Sequence, residues 1–220
     1  MYKQICATML LSCLICPPSF ASTTATEKPA TAGAKLAVNM GEGCAISVAD
    51  LFAGHLASGM AMNASYWTDR PPVKTTIGDF AVNFVCSHAT ETSKEQVANQ
   101  HGATYDNSAN RWTLYFESAR DRHMLSPVTH IHIIKALNSS GFYTTQDDVD
   151  GDPKQRVRFF SYCLFHDSLA ICGSGQVMRL SEPKGNLLPY VLDILRTVEF
   201  VDPATVKPAS LDDAASATTQ

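Results

Sequence analysis

Two histidines in one short segment could form part of a metal site. His130 and His132 are separated by one residue in a segment with the pattern of a β-strand, so their side chains project from the same face. Some zinc sites present two imidazoles in this way, but a third ligand is needed, and the other histidines are candidates only by residue type. In the alternative interpretation, Ile131 and Ile133 point into the core and the two histidines face solvent. Both interpretations stay open at this point.

A serine between two glycines invites comparison with the nucleophile elbow of serine hydrolases. Ser174 follows Gly173 and precedes Gly175, but Cys172 stands where the G-x-S-x-G motif needs glycine. Residues 176–178 also continue a strand pattern and do not open a helix. Glycine within a strand is more typical of a bulge or of a close approach between backbones. A hydrolase that uses Ser174, or a metal-dependent one that uses the histidine pair, is kept as the alternative function. The sequence indicates no other catalytic group and no cofactor.

An acidic segment carries carboxylates at nearly alternating positions. Asp147, Asp148, Asp150 and Asp152 supply the oxygen ligands that a hard cation such as Ca²⁺ prefers. The segment fits an EF-hand loop poorly because Gly151 stands at the fifth position counted from Asp147, where the loop needs glycine at the sixth. A solvated acidic turn is the competing interpretation. No metal is assigned to this segment.

Two neighbouring aromatic residues are candidates for contact with a protein partner. Tyr66 and Trp67 lie in residues 63–76, which read as an extended loop because Pro71 and Pro72 disfavour a helix there. Aromatic anchors supply much of the energy of protein interfaces, and acidic side chains attract a basic partner. We therefore predict that these two aromatic residues and the four aspartates of residues 147–152 form the binding surface.

The first 21 residues have the pattern of a secretory signal peptide. Lys3 is followed by an apolar run over residues 5–16, and Ser19 and Ala21 form a small-x-small cleavage site. Residues 10–13 faintly resemble a lipoprotein box, which leaves lipidation as an alternative. No later apolar stretch is long enough to span a bilayer, so we predict a periplasmic or secreted protein without a transmembrane segment.

Composition favours one domain with irregular ends. The chain has 220 residues, of which 45% are hydrophobic, and a formal net charge of −4. This mildly acidic balance argues against a nucleic-acid partner. After the signal peptide we predict a flexible leader at residues 22–35, a single α+β domain at 36–202, and a disordered tail at 203–220 that is rich in Pro, Ala, Ser and Thr.

Four of the seven cysteines lie beyond the signal peptide. An even number in an exported chain indicates two disulfides. Zinc is not expected, because no two of them have the short spacing of zinc ligands. The four are Cys44, Cys86, Cys163 and Cys172.

A long hairpin over residues 156–180 fixes one disulfide. Asp167 and Ser168 suit a two-residue turn between two segments rich in β-branched and aromatic residues. With the turn at these residues, Cys163 faces Cys172 on a non-hydrogen-bonded pair, where side chains come closest. Of the three possible pairings, we therefore predict Cys163 with Cys172 and Cys44 with Cys86.

Periodicity and turn residues predict the remaining elements. Helices are expected at residues 47–60, 94–101 and 188–196, strands at 79–86, 111–117, 128–137 and 198–201, and an acidic loop at 141–153. Together these elements predict an α+β fold, an antiparallel sheet with helices packed on it.

The segment Leu187 to Phe200, LLPYVLDILRTVEF, resembles the last helix and strand of the PsbP-like and DcrB-like α/β/α sandwich proteins. That group includes exported bacterial proteins, among them periplasmic immunity proteins that neutralise type VI secretion effectors. The resemblance covers less than half of the chain. It implies an α/β/α sandwich-like binding module, and the group offers no catalytic motif to carry over.

These observations favour a non-enzymatic function. The expected protein is an exported immunity protein or inhibitor that blocks a secreted bacterial effector encoded nearby. It would act by occluding the active site of its partner, without turnover of its own.

Overall fold

In a computed structural model, residues 33–206 are described, and the predicted signal peptide lies outside them. This part of the chain contains twelve strands, three α-helices and three 3₁₀ segments. The strands are β1 (Lys35–Gly41), β2 (Cys44–Ala49), β3 (His55–Met60), β4 (Asn63–Thr68), β5 (Phe80–His88), β6 (Ala103–Asp106), β7 (Arg111–Leu114), β8 (Thr129–Lys135), β9 (Ser140–Asp147), β10 (Val157–His166), β11 (Leu169–Arg179) and β12 (Glu199–Phe200). The helices are α1 (Lys94–Gln100), α2 (Ala119–Leu125) and α3 (Leu188–Arg196), and the 3₁₀ segments are Ser126–Val128, Pro183–Gly185 and Pro203–Thr205.

A seven-stranded antiparallel sheet forms the centre, in the order β3-β4-β5-β11-β10-β9-β8. Its longest pair is the predicted hairpin of β10 and β11, which turns at Asp167 and Ser168. Cys163 faces Cys172 in the predicted register, and the two are joined by a disulfide with a Cα–Cα distance of 4.1 Å. This short distance fits the non-hydrogen-bonded pair expected from the sequence. The prediction of the hairpin and of its bridge is confirmed.

One face of the large sheet, here called the closed face, is covered by a second layer. This layer consists of the small sheet β1-β2-β12 and of helix α3. Helix α3 buries Val191, Leu192, Ile194 and Leu195 in the same core, as its predicted i, i+3, i+4 periodicity requires. The Cys44–Cys86 disulfide, also as predicted, links the small sheet to the large one. The two layers are thus joined covalently within the core.

The opposite face is covered only in part, by α1 and the β6–β7 hairpin. Ala98 of α1 and Trp112 of β7 pack over the Cys163–Cys172 disulfide in a second apolar cluster. The Trp112 ring stacks on the Phe165 ring with centroids 5.2 Å apart. The remainder of this face, which lies mainly on β3, β4, β5 and β11, is here called the open face. The α+β prediction is confirmed, with helices packed on both sides of an antiparallel sheet.

The prediction of a helix at residues 47–60 is wrong. The segment contains the end of β2, a turn and β3. The Asp50 carboxylate makes the turn, accepting hydrogen bonds from the Gly54 N–H at 2.7 Å and from the Tyr66 hydroxyl at 2.9 Å. Ala53 adopts a φ of +50°, which breaks a right-handed helix. Of the apolar residues that matched a helical face, Val48, Leu56 and Met60 belong to strands of two different sheets, and Leu51 and Phe52 lie in the turn.

Two segments predicted as loops contain strands. Residues 63–68, at the start of the predicted 63–76 loop, form β4, in which buried and half-buried residues alternate. The predicted acidic loop at 141–153 begins only after β9 ends at Asp147. Strand β9 lacks simple alternation because residues on both of its faces are buried.

The other predicted elements agree with the structure to within a few residues. Strands β5, β7, β8 and β12 and helices α1 and α3 fall within or beside their predicted ranges. Val206, in the predicted tail, is buried after the last 3₁₀ segment. Within residues 33–206 the longest helix has nine residues, and no helix could cross a membrane.

Candidate functional site

The structure places Tyr66 and Trp67 on opposite faces of β4. Tyr66 is fully buried on the closed face, where its hydroxyl donates to Asp50, so it cannot act as an exposed anchor. Burial, and then the hydrogen bond to Asp50, raises the pKa of Tyr66. Trp67 is half-buried and packs against the His55 ring, with centroids 5.5 Å apart. Of the two predicted aromatic anchors, only Trp67 is accessible to a partner.

The four aspartates do not lie beside this aromatic pair. Three strands separate β4 from β9 in the sheet, a distance of about 19 Å at the usual strand spacing. Asp147 pairs with Arg158 through both carboxylate oxygens, with 2.7 Å between Oδ2 and the Arg158 Nη2. This pairing raises the pKa of Arg158. Asp150 and Asp152 are exposed, and Asp152 Oδ1 accepts from the Lys154 N–H at 2.9 Å.

The histidine pair lies on the edge strand β8, and both side chains are exposed. The His132 ring stacks on the Tyr143 ring, with centroids 4.8 Å apart. Among residues 33–206, neither histidine belongs to a cluster of three possible metal ligands. Ile133, expected in the core, is 57% exposed.

The open face carries a groove of about 530 Å³. It crosses strands β3, β4, β5 and β11 and ends against the C-terminal end of α1. The lining residues are Gly59, Met60, Asn63, Ala64, Ser65, Asn83, Phe84, Val85, His101, Gly173 and Ser174. Ser174, singled out from the sequence, is therefore part of this groove, whereas Tyr66, Trp67 and the four aspartates are not.

The period of two in the strands brings these side chains together. Ser65 and Asn83 are directly paired across β4 and β5, and the Ser65 hydroxyl donates to Asn83 Oδ1 at 2.7 Å. Val85 lies two residues further along the same face of β5 and is 40% exposed. Met60, at the end of β3, is 72% exposed. The groove thus combines exposed apolar groups with hydroxyl and amide groups.

Gly173 is the point at which β11 comes closest to its neighbours β5 and β10. A Cβ at this position would lie 2.2 Å from the Asn83 carbonyl oxygen and 2.8 Å from the Tyr162 ring. The absence of a side chain lets the Tyr162 hydroxyl donate to that carbonyl at 2.8 Å. Burial raises the pKa of Tyr162, so this phenol stays protonated. The expectation that glycine here permits a close approach is in accord with this geometry.

One titratable side chain, that of His101, lies at the end of the groove. His101 caps the C-terminus of α1, and its Nδ1 lies 2.8 Å from the Ser161 hydroxyl oxygen. Burial lowers the pKa of His101, which favours the neutral imidazole. No motif in the sequence points to His101 or Ser161. The period of two in β10 was an available signal, because it places Ser161 on the same face as Cys163.

The chemistry of the lining differs from that of an ordinary protein surface. Among the described residues that line the groove, none is Lys, Arg, Asp or Glu. Depletion of charged residues, with methionine present, is the composition typical of the core of a protein interface. Strand β11 continues through Ser174 to Arg179, so Ser174 does not stand on a strand-to-helix elbow.

Comparisons of the chain with family models, with curated proteins and with solved structures found no match. The chemistry of the groove therefore carries the functional proposal.

Proposed function

We propose that the protein is an exported, non-enzymatic binding protein whose groove on the open face holds a segment of a protein partner. Most concretely, it is a periplasmic immunity protein or inhibitor that blocks a secreted bacterial effector. The observation that carries this proposal is the lining of the groove, which has no formally charged side chain but exposes Met60 and Val85. A sheet surface of this composition matches an interface core better than a solvated face.

The two disulfides support an extracytoplasmic location. Both bridges are buried, one in the core under the closed face and one beneath α1. Structural disulfides persist in oxidising compartments such as the bacterial periplasm. The predicted signal peptide agrees with this location.

The groove favours a protruding loop of the partner as its occupant. Gly59 has no side chain and open space around it, and Ser65 and Asn83 offer hydrogen-bonding groups to the loop backbone. An apolar side chain of the loop can lie between Met60 and Val85, which would supply the buried anchor typical of tight interfaces. An effector whose active-site loop is held in this way is occluded, which explains inhibition without chemistry.

The acidic loop at residues 148–153 contributes to binding by attracting a basic partner before contact. Asp150 and Asp152 are exposed, and charges at the rim of an interface affect the association rate more than the final affinity. Neutralising both with asparagine should slow association with a basic partner at low salt and leave dissociation unchanged. An association rate that is the same in both proteins would exclude the loop from recognition.

Co-expression with the product of the adjacent gene tests the proposed function, because an immunity protein is expected beside its toxin. We expect the wild-type protein to restore growth when that product is directed to the periplasm. Ser174→Arg should abolish protection by filling the groove. Gln176→Arg is the matched control, since Gln176 is exposed on the same strand and face but does not line the groove.

Two results would contradict the proposal. If the neighbour is not toxic, or is toxic and is neither bound nor neutralised, the immunity function fails and a general envelope binding function becomes the better hypothesis. If both arginine variants protect equally, the groove is not the binding surface.

A second candidate, a serine hydrolase, is favoured by one observation. The serine that contacts a histidine is Ser161, whose hydroxyl lies 2.8 Å from Nδ1 of His101, a neutral base within reach of a nucleophile. Hydrolysis of p-nitrophenyl acetate by the wild-type protein, lost in Ser161→Ala and retained in Ser174→Ala, would favour this enzyme over the binding protein.

A further inference from the structure

Three side chains capable of binding a metal meet beneath α1. A ring nitrogen of His101 and the Sγ atoms of Cys163 and Cys172 all lie within 4.8 Å of one another. Both cysteines are buried, and His101 is half-buried at the end of the groove. In the structure the two sulfurs are bonded to each other, so they cannot act as thiolate ligands.

We infer that reduction of the Cys163–Cys172 disulfide creates a binding site for one soft or borderline metal ion, such as Zn²⁺, with His101 as the third ligand. The protein would therefore bind the metal ion only when this disulfide is reduced. This inference does not depend on the proposed function, because it concerns the redox state of the protein and not its partner.

The redox step balances with a dithiol as the reductant. The dithiol gives two electrons and two protons to the Cys163–Cys172 bond, which breaks into two thiols, while the dithiol becomes a disulfide. Binding of Zn²⁺ then releases the two thiol protons to solvent, because the ligands are thiolates. Re-oxidation by a disulfide compound restores the bond and expels the metal ion.

The geometry requires only small movements. Tetrahedral zinc with thiolates at about 2.3 Å needs sulfurs about 3.8 Å apart, which rotation of two facing cysteine side chains can provide. The Cα atoms of the two cysteines are 4.1 Å apart and need not separate. The imidazole is already held in place by the Ser161 hydroxyl, as the second partner of a metal-bound histidine usually holds it.

The groove gives the metal ion a path from solvent and leaves its fourth coordination position accessible. His101 lines the groove, and Cys172 pairs with the lining residue Val85, so a metal ion held by all three ligands lies at the end of the groove. A site with three protein ligands keeps one position for water or for a group of a bound molecule.

The test measures Zn²⁺ binding by the whole exported chain after reduction with a phosphine. We expect about one Zn²⁺ per reduced chain and none in the oxidised chain, by native mass spectrometry. Co²⁺ in place of Zn²⁺ should give the near-ultraviolet absorption of thiolate coordination. Ser161→Ala should weaken Zn²⁺ binding by about tenfold, as loss of an outer partner usually does, and His101→Gln should weaken it more.

Matched double variants separate the two cysteine pairs. Replacing Cys44 and Cys86 with alanine should leave about one Zn²⁺ per reduced chain, whereas replacing Cys163 and Cys172 with serine should abolish binding. Replacing His130 and His132 with alanine should have no effect. Absence of Zn²⁺ from the reduced wild-type chain, folded or unfolded, would overturn the inference, and so would binding that is unchanged by His101→Gln or by loss of Cys163 and Cys172.

Discussion

The two faces of the large sheet are made by the same strands and have opposite surroundings. In β5, Phe80, Val82, Phe84 and Cys86 are buried on the closed face, while the residues between them are exposed on the open face. The closed face carries the main core and the second layer, whereas on the opposite side α1 and the β6–β7 hairpin cover only the part around Cys163 and Cys172. A strict alternation along one strand thus separates a surface that stabilises the fold from a surface available for binding.

Each face also has its own disulfide, and the two differ in what they join. Cys44–Cys86 connects two sheets across 42 residues, and Cys163–Cys172 connects adjacent strands across nine. The first constrains the tertiary structure, and the second lies below α1 beside the groove. Stability and function are therefore expected to respond differently to changes on the two faces.

The largest difference in stability is expected between variants of Phe84 and Val85, which are adjacent in β5 and lie on opposite faces of the sheet. Phe84→Ala should lower the free energy of unfolding by about 3–5 kcal/mol, because Phe84 is fully buried and its removal leaves a cavity. Val85→Ala, at a 40% exposed position, should change it by no more than about 0.5 kcal/mol. Urea unfolding of both variants provides the comparison, and similar losses would mean that the open face is packed as tightly as the closed one.

Loss of the disulfide on the closed face should also destabilise the protein more than loss of the other disulfide. In the chain-entropy model, Cys44–Cys86 contributes about 4 kcal/mol and Cys163–Cys172 about 3 kcal/mol, because the first closes the longer loop. Alanine at both positions of each pair tests this order by chemical unfolding under oxidising conditions. A larger loss without Cys163–Cys172 would place the more important constraint beneath α1.

A smaller effect on stability is expected at Gly173, where β11 lies close to the Asn83 carbonyl and to the Tyr162 ring. Gly173→Ala should destabilise the protein by about 1–3 kcal/mol, since the added methyl group would meet the Asn83 carbonyl and the Tyr162 ring. Gly175→Ala, two residues along the same strand, has open space and serves as the control. Thermal unfolding of both variants distinguishes them, and equal melting temperatures would refute the close approach.

The smallest effect is expected from protonation of His101, which makes the stability of the protein depend on pH. Burial lowers the pKa of His101 below the ordinary value of 6.5, so the unfolded chain binds more protons than the folded one as the pH falls below 6.5. The wild-type protein should therefore lose stability in this range relative to His101→Gln, with a slope of at most about 1.4 kcal/mol per pH unit. Parallel stability curves from pH 7.5 to pH 5 would contradict the shift, since the other histidines are common to both proteins.

The parts of the fold that the sequence predicts correctly are set by local chemistry. The β10–β11 register follows from a two-residue turn and two facing cysteines, and α3 follows from four apolar residues at helical spacing. Residues 47–60 also have apolar residues at helical spacing, yet they form a turn and strands. The deciding contact, between Asp50 and the Tyr66 hydroxyl, joins the turn after β2 to strand β4 and is not visible in a local pattern.

The candidate site was less predictable than the fold. Ser174 was singled out for a different chemistry, and Tyr66 for an exposure that it does not have. His101 and Ser161 are 60 residues apart, so their contact depends on how α1 docks on the sheet. Helix α1 has a polar sequence with little periodicity, which does not indicate which strand it covers.

The central claim, that the open face binds the partner, is tested most directly by calorimetric titration with the product of the adjacent gene. We expect Ser174→Arg to weaken binding by at least about a hundredfold, as loss of an interface hot spot does, while Gln176→Arg binds like the wild-type protein. Both variants should unfold at the wild-type denaturant concentration. Unchanged affinity in a folded Ser174→Arg protein would contradict the assignment of the groove as the binding site.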